Sequence, residues 1–158
     1  MNSEASAYAL RLLGQRSYTT HDLRKKLVTK EFPVETIEQV LERFTASGLL
    51  DDKRFAMSFA RSRLTGASAS PRKVRQLLVR KGISQTFAAQ AVEQVIQQEE
   101  IDTEATLRKV AKKRLENLSG LEPLVQRRRL YGFLARRGYD LDEIQRVVTK
   151  LLATERAL

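Results

Sequence analysis

The chain of 158 residues contains no cysteine and no tryptophan, a single histidine, three prolines and seven glycines. Without cysteine there is no disulfide framework and no thiolate metal site. With one histidine, His21, a catalytic triad or a zinc site of the usual composition is hard to assemble. So few prolines and glycines suit long helices better than many short strands. No apolar run approaches the ~20 residues that a bilayer-spanning helix requires. The opening Met1-Asn2-Ser3-Glu4 lacks the basic region and apolar stretch of a signal peptide, so a cytoplasmic protein with no membrane association is expected.

What the chain does have is apolar content of 42%, enough to build a core, and an excess of positive charge. Lysine and arginine number 29 against 19 acids, a net charge of +10. Such an excess attracts polyanions and disfavours self-association. Nucleic acid is the first candidate partner, then an acidic protein surface, and a monomer is expected.

Apolar residues recur at helical spacing almost throughout, and nothing alternates with period two for long enough to make a strand. Helix starts are well marked. Thr19 precedes Asp22, Ser70 precedes Pro71, Asp51-Asp52 precedes Lys53, and Asp140 precedes Asp142-Glu143. Gly48, Gly66, Gly82, Gly120 and Gly138 fall where the apolar pattern pauses, as helix stops do.

Three stretches align. They begin at Leu23, Val74 and Leu130, spaced by 51 and then 56 residues. Leu27, Leu78 and Leu134 follow four positions later on the same helix face. Each stretch closes on a basic residue (Lys30, Lys81, Arg137), then a bulky apolar one (Phe32, Ile83, Tyr139), then a helix start at Pro33, Ser84 or Asp140. The match runs on into another helix through Val40, Ala91 and Val147 and through Phe44, Val95 and Leu151. Leading helices over Ala5–Gln15, Leu49–Leu64 and Asp102–Leu118 complete each copy. The expectation is an all-α protein of about nine helices in three tandem three-helix, helix-turn-helix-like repeats, assigned to residues 1–48, 49–100 and 101–158. Such units share cores with their neighbours, and an elongated or curved array is expected.

Catalysis finds little support. His21 sits in a first helical turn and reads as a solvated or capping residue. Asp51 and Asp52 could suggest a Mg²⁺ carboxylate pair, but adjacent positions at a helix start diverge and capping accounts for both. No glycine-rich phosphate loop is present, and no cofactor is expected.

The basic residues are the informative group. Residues 71–81 hold Arg72, Lys73, Arg75, Arg80 and Lys81 with no acid, and residues 126–137 hold Arg127, Arg128, Arg129, Arg136 and Arg137 with no acid. Arg24, Lys25, Lys26 and Lys30 add to the second helix of the first repeat. Lys109, Lys112 and Lys113, with Arg108, form a stripe on the leading helix of the third. The third helices lean acidic: Glu35, Glu38 and Glu42; Glu93, Glu99 and Glu100; Asp140, Asp142 and Glu143. A helix-turn-helix reader places its last helix in the major groove, where acidic side chains would be repelled. Any nucleic-acid contact is therefore expected through the first and second helices, to the backbone and with little sequence specificity.

The segments Leu49-Leu50-Asp51-Asp52-Lys53-Arg54-Phe55-Ala56 and Pro71-Arg72-Lys73-Val74-Arg75-Gln76-Leu77-Leu78-Val79-Arg80-Lys81-Gly82-Ile83 resemble the RecX family. So do Asp22-Leu23-Arg24-Lys25-Lys26-Leu27 and Phe133-Leu134-Ala135-Arg136-Arg137-Gly138-Tyr139. The link from Gly66 to Pro71 is longer and less glycine-rich than the family's usual turn, which puts the docking of the first two repeats in question. The resemblance implies tandem three-helix repeats and a non-enzymatic regulator, usually an inhibitor, of RecA. It implies binding in the helical groove of the RecA–DNA filament, with effects on strand exchange, ATPase and coprotease activity. The basic residues named above are the expected filament or DNA contacts. The alternative is a stand-alone DNA-binding module that acts by competing for DNA.

Overall fold

The computed structural model describes residues 2–157, so Met1 and Leu158, the outermost positions of the first and third assigned repeats, lie outside it. The described residues form nine α-helices and no strand: α1 Asn2–Gln15, α2 Thr20–Thr29, α3 Val34–Ala46, α4 Asp52–Thr65, α5 Pro71–Arg80, α6 Gln85–Gln98, α7 Thr103–Glu116, α8 Pro123–Arg136 and α9 Leu141–Arg156. None of them is long and apolar enough to cross a membrane.

The caps stand largely where the residue types require them. Thr19 Oγ1 accepts from the Asp22 amide at 3.1 Å, Ser70 Oγ from Lys73 at 3.1 Å, and Asp102 Oδ1 from Ala105 at 2.9 Å. Asp140 and Glu143 close a reciprocal capping box. Two local expectations need correction. The helix anticipated from Leu49 begins only at Asp52, because Asp51 caps it through the Arg54 amide and Leu50 is drawn into the core from the preceding turn. After α4 the left-handed residue is Ala67 (φ 52°), one position beyond Gly66.

The chain divides into two compact units that cut through the middle repeat: residues 1–59 with 77–91, and residues 60–76 with 92–158. In the first, α1, α2 and α3 enclose a core of Ala5, Ala9, Leu12, Leu23, Leu27, Ile37, Val40, Leu41 and Phe44, closed by Tyr18 and Leu50. In the second, α7, α8 and α9 enclose Leu107, Ala111, Leu115, Leu130, Leu134, Ile144, Val147 and Val148, with Tyr139 and Leu118. These are the i, i+3, i+4 stripes of the sequence, and each fully buried leucine or isoleucine is stabilised by about 1.5–3 kcal/mol. Small residues let the leading helices approach closely: Ala5 and Ala9 in α1, Ala56 and Ala60 in α4, and Ala111 in α7 are all buried.

Each unit also contains a junction of one design. In the first, the α5 carbonyl terminus meets the α2 amino terminus. Thr19 Oγ1 donates to the Lys81 carbonyl at 2.7 Å, and Lys81 Nζ pairs with Asp22 at 3.3 Å. The Thr20 amide and hydroxyl donate to Asp52 Oδ1 at 2.8 and 3.2 Å. Asp52 therefore serves α2, while Asp51 alone caps α4 by its side chain. In the second unit the α8 carbonyl terminus meets the α5 amino terminus. The Ser70 amide donates to the Arg137 carbonyl at 2.8 Å, the Arg137 guanidinium donates to the Ala67 carbonyl, and Arg72 pairs with Asp140. A carbonyl end set against an amino end brings opposite partial charges together, and each satisfies groups the other leaves open.

Candidate functional site

The cations that the sequence singles out fall into two chemical classes. The first class is spent inside the fold. Arg24 reaches from α2 to Glu38 of α3 with two hydrogen bonds, at 2.7 and 3.1 Å. That hydrogen-bonded pairing holds the Glu38 carboxyl below its ordinary range and pushes the Arg24 guanidinium up. Arg72 pairs with Asp140 and Lys81 with Asp22. Arg137 donates to Ala67.

The residue that closes each aligned stretch also has a common physical role. Lys30 Nζ lies 5.6 Å from the Tyr8 ring centroid, Lys81 Nζ lies 5.7 and 5.9 Å from those of Phe55 and Phe59, and Arg137 Cζ lies 4.6 Å from that of Phe133. Tyr8 and Phe59 are equivalent under the 51-residue offset (8 to 59), so the first two pairs are copies of one contact. A cation over an aromatic face contributes on the order of 0.5–2 kcal/mol, more as it is desolvated. Lysine and arginine thus recur there as lids over rings.

The second class stands in solvent. Lys25 and Lys26 of α2, Arg75 and Arg80 of α5, Lys109, Lys112 and Lys113 of α7, and Arg128, Arg129 and Arg136 of α8 are exposed. None of these ten forms an ion pair among the described residues. Arg127 is exposed as well, with its guanidinium 5.5 Å from the Tyr131 centroid, while Lys73 is half-buried. On α7 the spacing i, i+3, i+4 puts Lys109, Lys112 and Lys113 on one face; on α8, Arg129 and Arg136 are seven apart and share another. In the first unit the exposed set is Lys25, Lys26, Lys30 and Arg80; the α7 and α8 cations, Arg72 and Arg75 belong to the second.

The acidic third helices explain part of this division. Each of the three repeats uses an acid in or next to its third helix to neutralise an arginine on a first or second helix: Glu38 of α3 with Arg24, Glu99 just past α6 with Arg61 at 2.7 Å, and Asp140 just before α9 with Arg72 of the preceding repeat. Glu35, Glu42 and Glu93 remain exposed. His21 is half-buried with its Cβ and Cγ packed at Gly82, so it is less solvated than its position in a first turn suggests.

Profile comparison assigns all three repeats. The chain matches the models described as RecX first, second and third three-helix domains over residues 5–44, 51–92 and 102–148. It is 32% identical over 148 residues to the regulatory protein RecX of Pelodictyon phaeoclathratiforme, covering 94% of this chain and 89% of that protein. The chain belongs to the RecX family. The regulatory protein RecX of Thermobifida fusca is 35% identical over 153 residues, 97% of this chain and 81% of the other. Among solved structures, RecX from Lactobacillus salivarius superposes with a TM-score of 0.73 at 19% identity, covering 95% and 96% of the two chains. A second crystal structure of regulatory protein RecX gives 0.75 at 22% identity, covering 94% of this chain and 73% of that one. The fold is thus that of RecX, and its relatives are regulatory proteins.

Proposed function

We propose that this RecX protein regulates RecA, as an inhibitor, by binding the RecA–DNA filament as a monomer in the cytoplasm, with the repeats at 1–48, 49–100 and 101–158 each supplying a weak contact. The observation that carries the proposal is the set of ten exposed cations without ion pairs, in a family of regulators. Charges already paired inside the fold have little left to give a partner, whereas these ten keep theirs. Contacts of this kind, repeated along one chain, act together and give avidity that no single one provides. They also make binding depend steeply on salt, since each phosphate neutralised releases condensed counterions. Binding along the filament groove would obstruct strand exchange and with it the linked ATPase and coprotease activities. Exposed Glu35, Glu42 and Glu93 on the third helices make those helices poor partners for DNA, so the cationic first and second helices would meet the filament.

The test is inhibition of RecA-catalysed strand exchange measured from low to high salt. The proposal expects the inhibitory concentration to rise steeply with salt; a flat response removes its electrostatic basis. The acid-free stretch with exposed Arg128, Arg129 and Arg136 supports a second reading, in which the protein binds DNA alone and competes for it. Pull-down of RecA without DNA separates the two: capture requires a protein contact, and its absence favours competition.

A further inference from the structure

The second unit contains a cleft of about 830 Å³ bordered by α7, the α4–α5 link, the turn before α7 and the C-terminal end of α8. Its cationic side carries Lys109, Lys113, Arg114 and Arg137. The guanidiniums of Arg114 and Arg137 lie 4.9 and 4.6 Å from the centroid of one ring, Phe133. Arg114 Nε is buried and donates to no atom among the described residues. A buried N–H with no acceptor is costly, and an acceptor entering the cleft would relieve that cost as the guanidinium turns toward it. A planar guanidinium presents a fork suited to a carboxylate.

The rest of the lining decides the class of ligand. Leu64, Ile101 and Val110 give the cleft an apolar part, which a sugar–phosphate backbone does not use. Glu99, Glu100 and Asp102 lie on its border. Two of these carboxylates are compensated: Glu99 by Arg61 at 2.7 Å, and Asp102 by the α7 amino terminus through Ala105 at 2.9 Å. Glu100 has no such partner among the described residues. A polyphosphate would be repelled along that border, whereas a peptide can place one carboxylate on Arg114 beside Lys109 and Lys113, an apolar side chain on the floor and its own N–H groups toward Glu100.

We propose that this cleft docks a peptide segment carrying a carboxylate beside an apolar side chain. The proposal deepens the filament reading, on which it rests for the identity of the partner, by saying where the protein component would be held.

The experiment is fluorescence anisotropy of the full chain with a labelled peptide alternating glutamate and leucine. A peptide alternating glutamate and serine and a labelled oligo-dT serve as comparisons. The leucine peptide should bind more tightly than the serine one. Lys109→Ala/Lys113→Ala should weaken it about tenfold, the scale of losing charge-assisted contacts. Arg146→Ala/Arg156→Ala, which removes the same net charge from α9 outside the cleft, should change it less than twofold. Ile101→Ser tests the apolar part and should erase the preference for leucine. Circular dichroism establishes that each variant is folded; if the double lysine variant is not, Ile101→Ser and single lysine variants decide. Equal binding of the two peptides, or equal weakening by both double variants, overturns the proposal. So does a larger loss for oligo-dT than for the leucine peptide in Lys109→Ala/Lys113→Ala. No RecA is present in this assay, so its failure is distinct from failure of the filament reading, which strand-exchange inhibition by the same variants reports.

Discussion

His21 occupies the space that a side chain on Gly82 would need: a Cβ built there would lie 2.7 Å from His21 Cγ, and closer still to its Cβ. The third repeat copies the relationship, with Gly138 placed so that a Cβ would lie 2.7 Å from Ser70 Oγ. Both glycines have φ near 90°, at 88° and 91°. The aligned residue of the first repeat is Glu31 (31 to 82), which adopts φ 60° with a side chain and stands exposed. Backbone geometry alone therefore tolerates a Cβ at this position; the docked helix terminus does not. Gly82→Ala and Gly138→Ala should each cost roughly 2–5 kcal/mol, from left-handed strain and overpacking together. Glu31→Gly should be neutral or stabilising by up to about 1 kcal/mol, because it relieves strain and meets no neighbour. Urea unfolding of the three variants checks this, and a Gly82→Ala protein as stable as the parent would show that the junction yields.

Thr19 is fully buried, and its hydroxyl works in both directions, accepting from the Asp22 amide and donating to the Lys81 carbonyl. Thr19→Ala removes a cap and leaves a carbonyl short of a donor, a loss of about 1–3 kcal/mol. Thr19→Ser keeps both bonds and should recover most of that stability. If the alanine and serine variants unfold alike in urea, the methyl group rather than the hydroxyl holds the junction.

Much of the architecture was legible because it is periodic and local. The stripes Leu23–Leu27, Val74–Leu78 and Leu130–Leu134 and the caps at Thr19, Ser70 and Asp140 are written in neighbouring residues, and they stand as read, while Asp102, taken as the first residue of a helix, is the cap of α7. Gly48, Gly82, Gly120 and Gly138 are indeed left-handed. What was not legible depends on distance along the chain. The repeated cation at Lys30, Lys81 and Arg137 was visible as a pattern, yet its rings, Tyr8, Phe55, Phe59 and Phe133, come from other turns or other helices. Arg72 and Asp140 are separated by 68 residues, and Lys81 and Asp22 by 59. Charge counting therefore mixed internal partners with exposed ones. The three arginine–acid pairs, Arg24–Glu38, Arg61–Glu99 and Arg72–Asp140, are not related by the repeat offsets, so the repeat pattern carried no signal for them.

Arg24 and Glu38 make an exposed pair, with 41% and 52% of their side chains accessible. The Glu38 carboxyl is held below its usual range by hydrogen bonds from Arg24. A depressed folded-state pKa means that the stabilisation is present above the ordinary carboxylate pKa, about 4.3, and is lost as pH falls through the folded value. Solvent screening keeps the effect small, so Glu38→Gln should cost under about 1 kcal/mol at pH 7. The difference between parent and variant should shrink as the pH is lowered from 7 to 3. Urea midpoints at the two pH values measure it; a gap that widens in acid would overturn the ion-pair reading of Glu38.

Lys112 and Lys113 on α7 are exposed and form no ion pair among the described residues, while Lys81 and Arg137 are tied to Asp22 and Ala67. Two kinds of variant should therefore fail in different ways. Lys112→Gln/Lys113→Gln should leave the unfolding midpoint unchanged within error, since no internal partner is lost. Its affinity for RecA-coated DNA should fall, and the slope of log affinity against log salt should shrink by roughly 0.7–0.9 for each phosphate contact removed. Lys81→Gln breaks an ion pair and uncovers two rings, so its first effect should be on stability, about 1–3 kcal/mol, with the salt slope of the folded fraction preserved. The comparison needs thermal melts and a salt titration on the same preparations. Should Lys112→Gln/Lys113→Gln bind with an unchanged slope while Lys81→Gln loses slope without losing stability, the division between spent and available cations would be reversed, and the contact surface would have to be sought at the junction around Asp22 and Thr19.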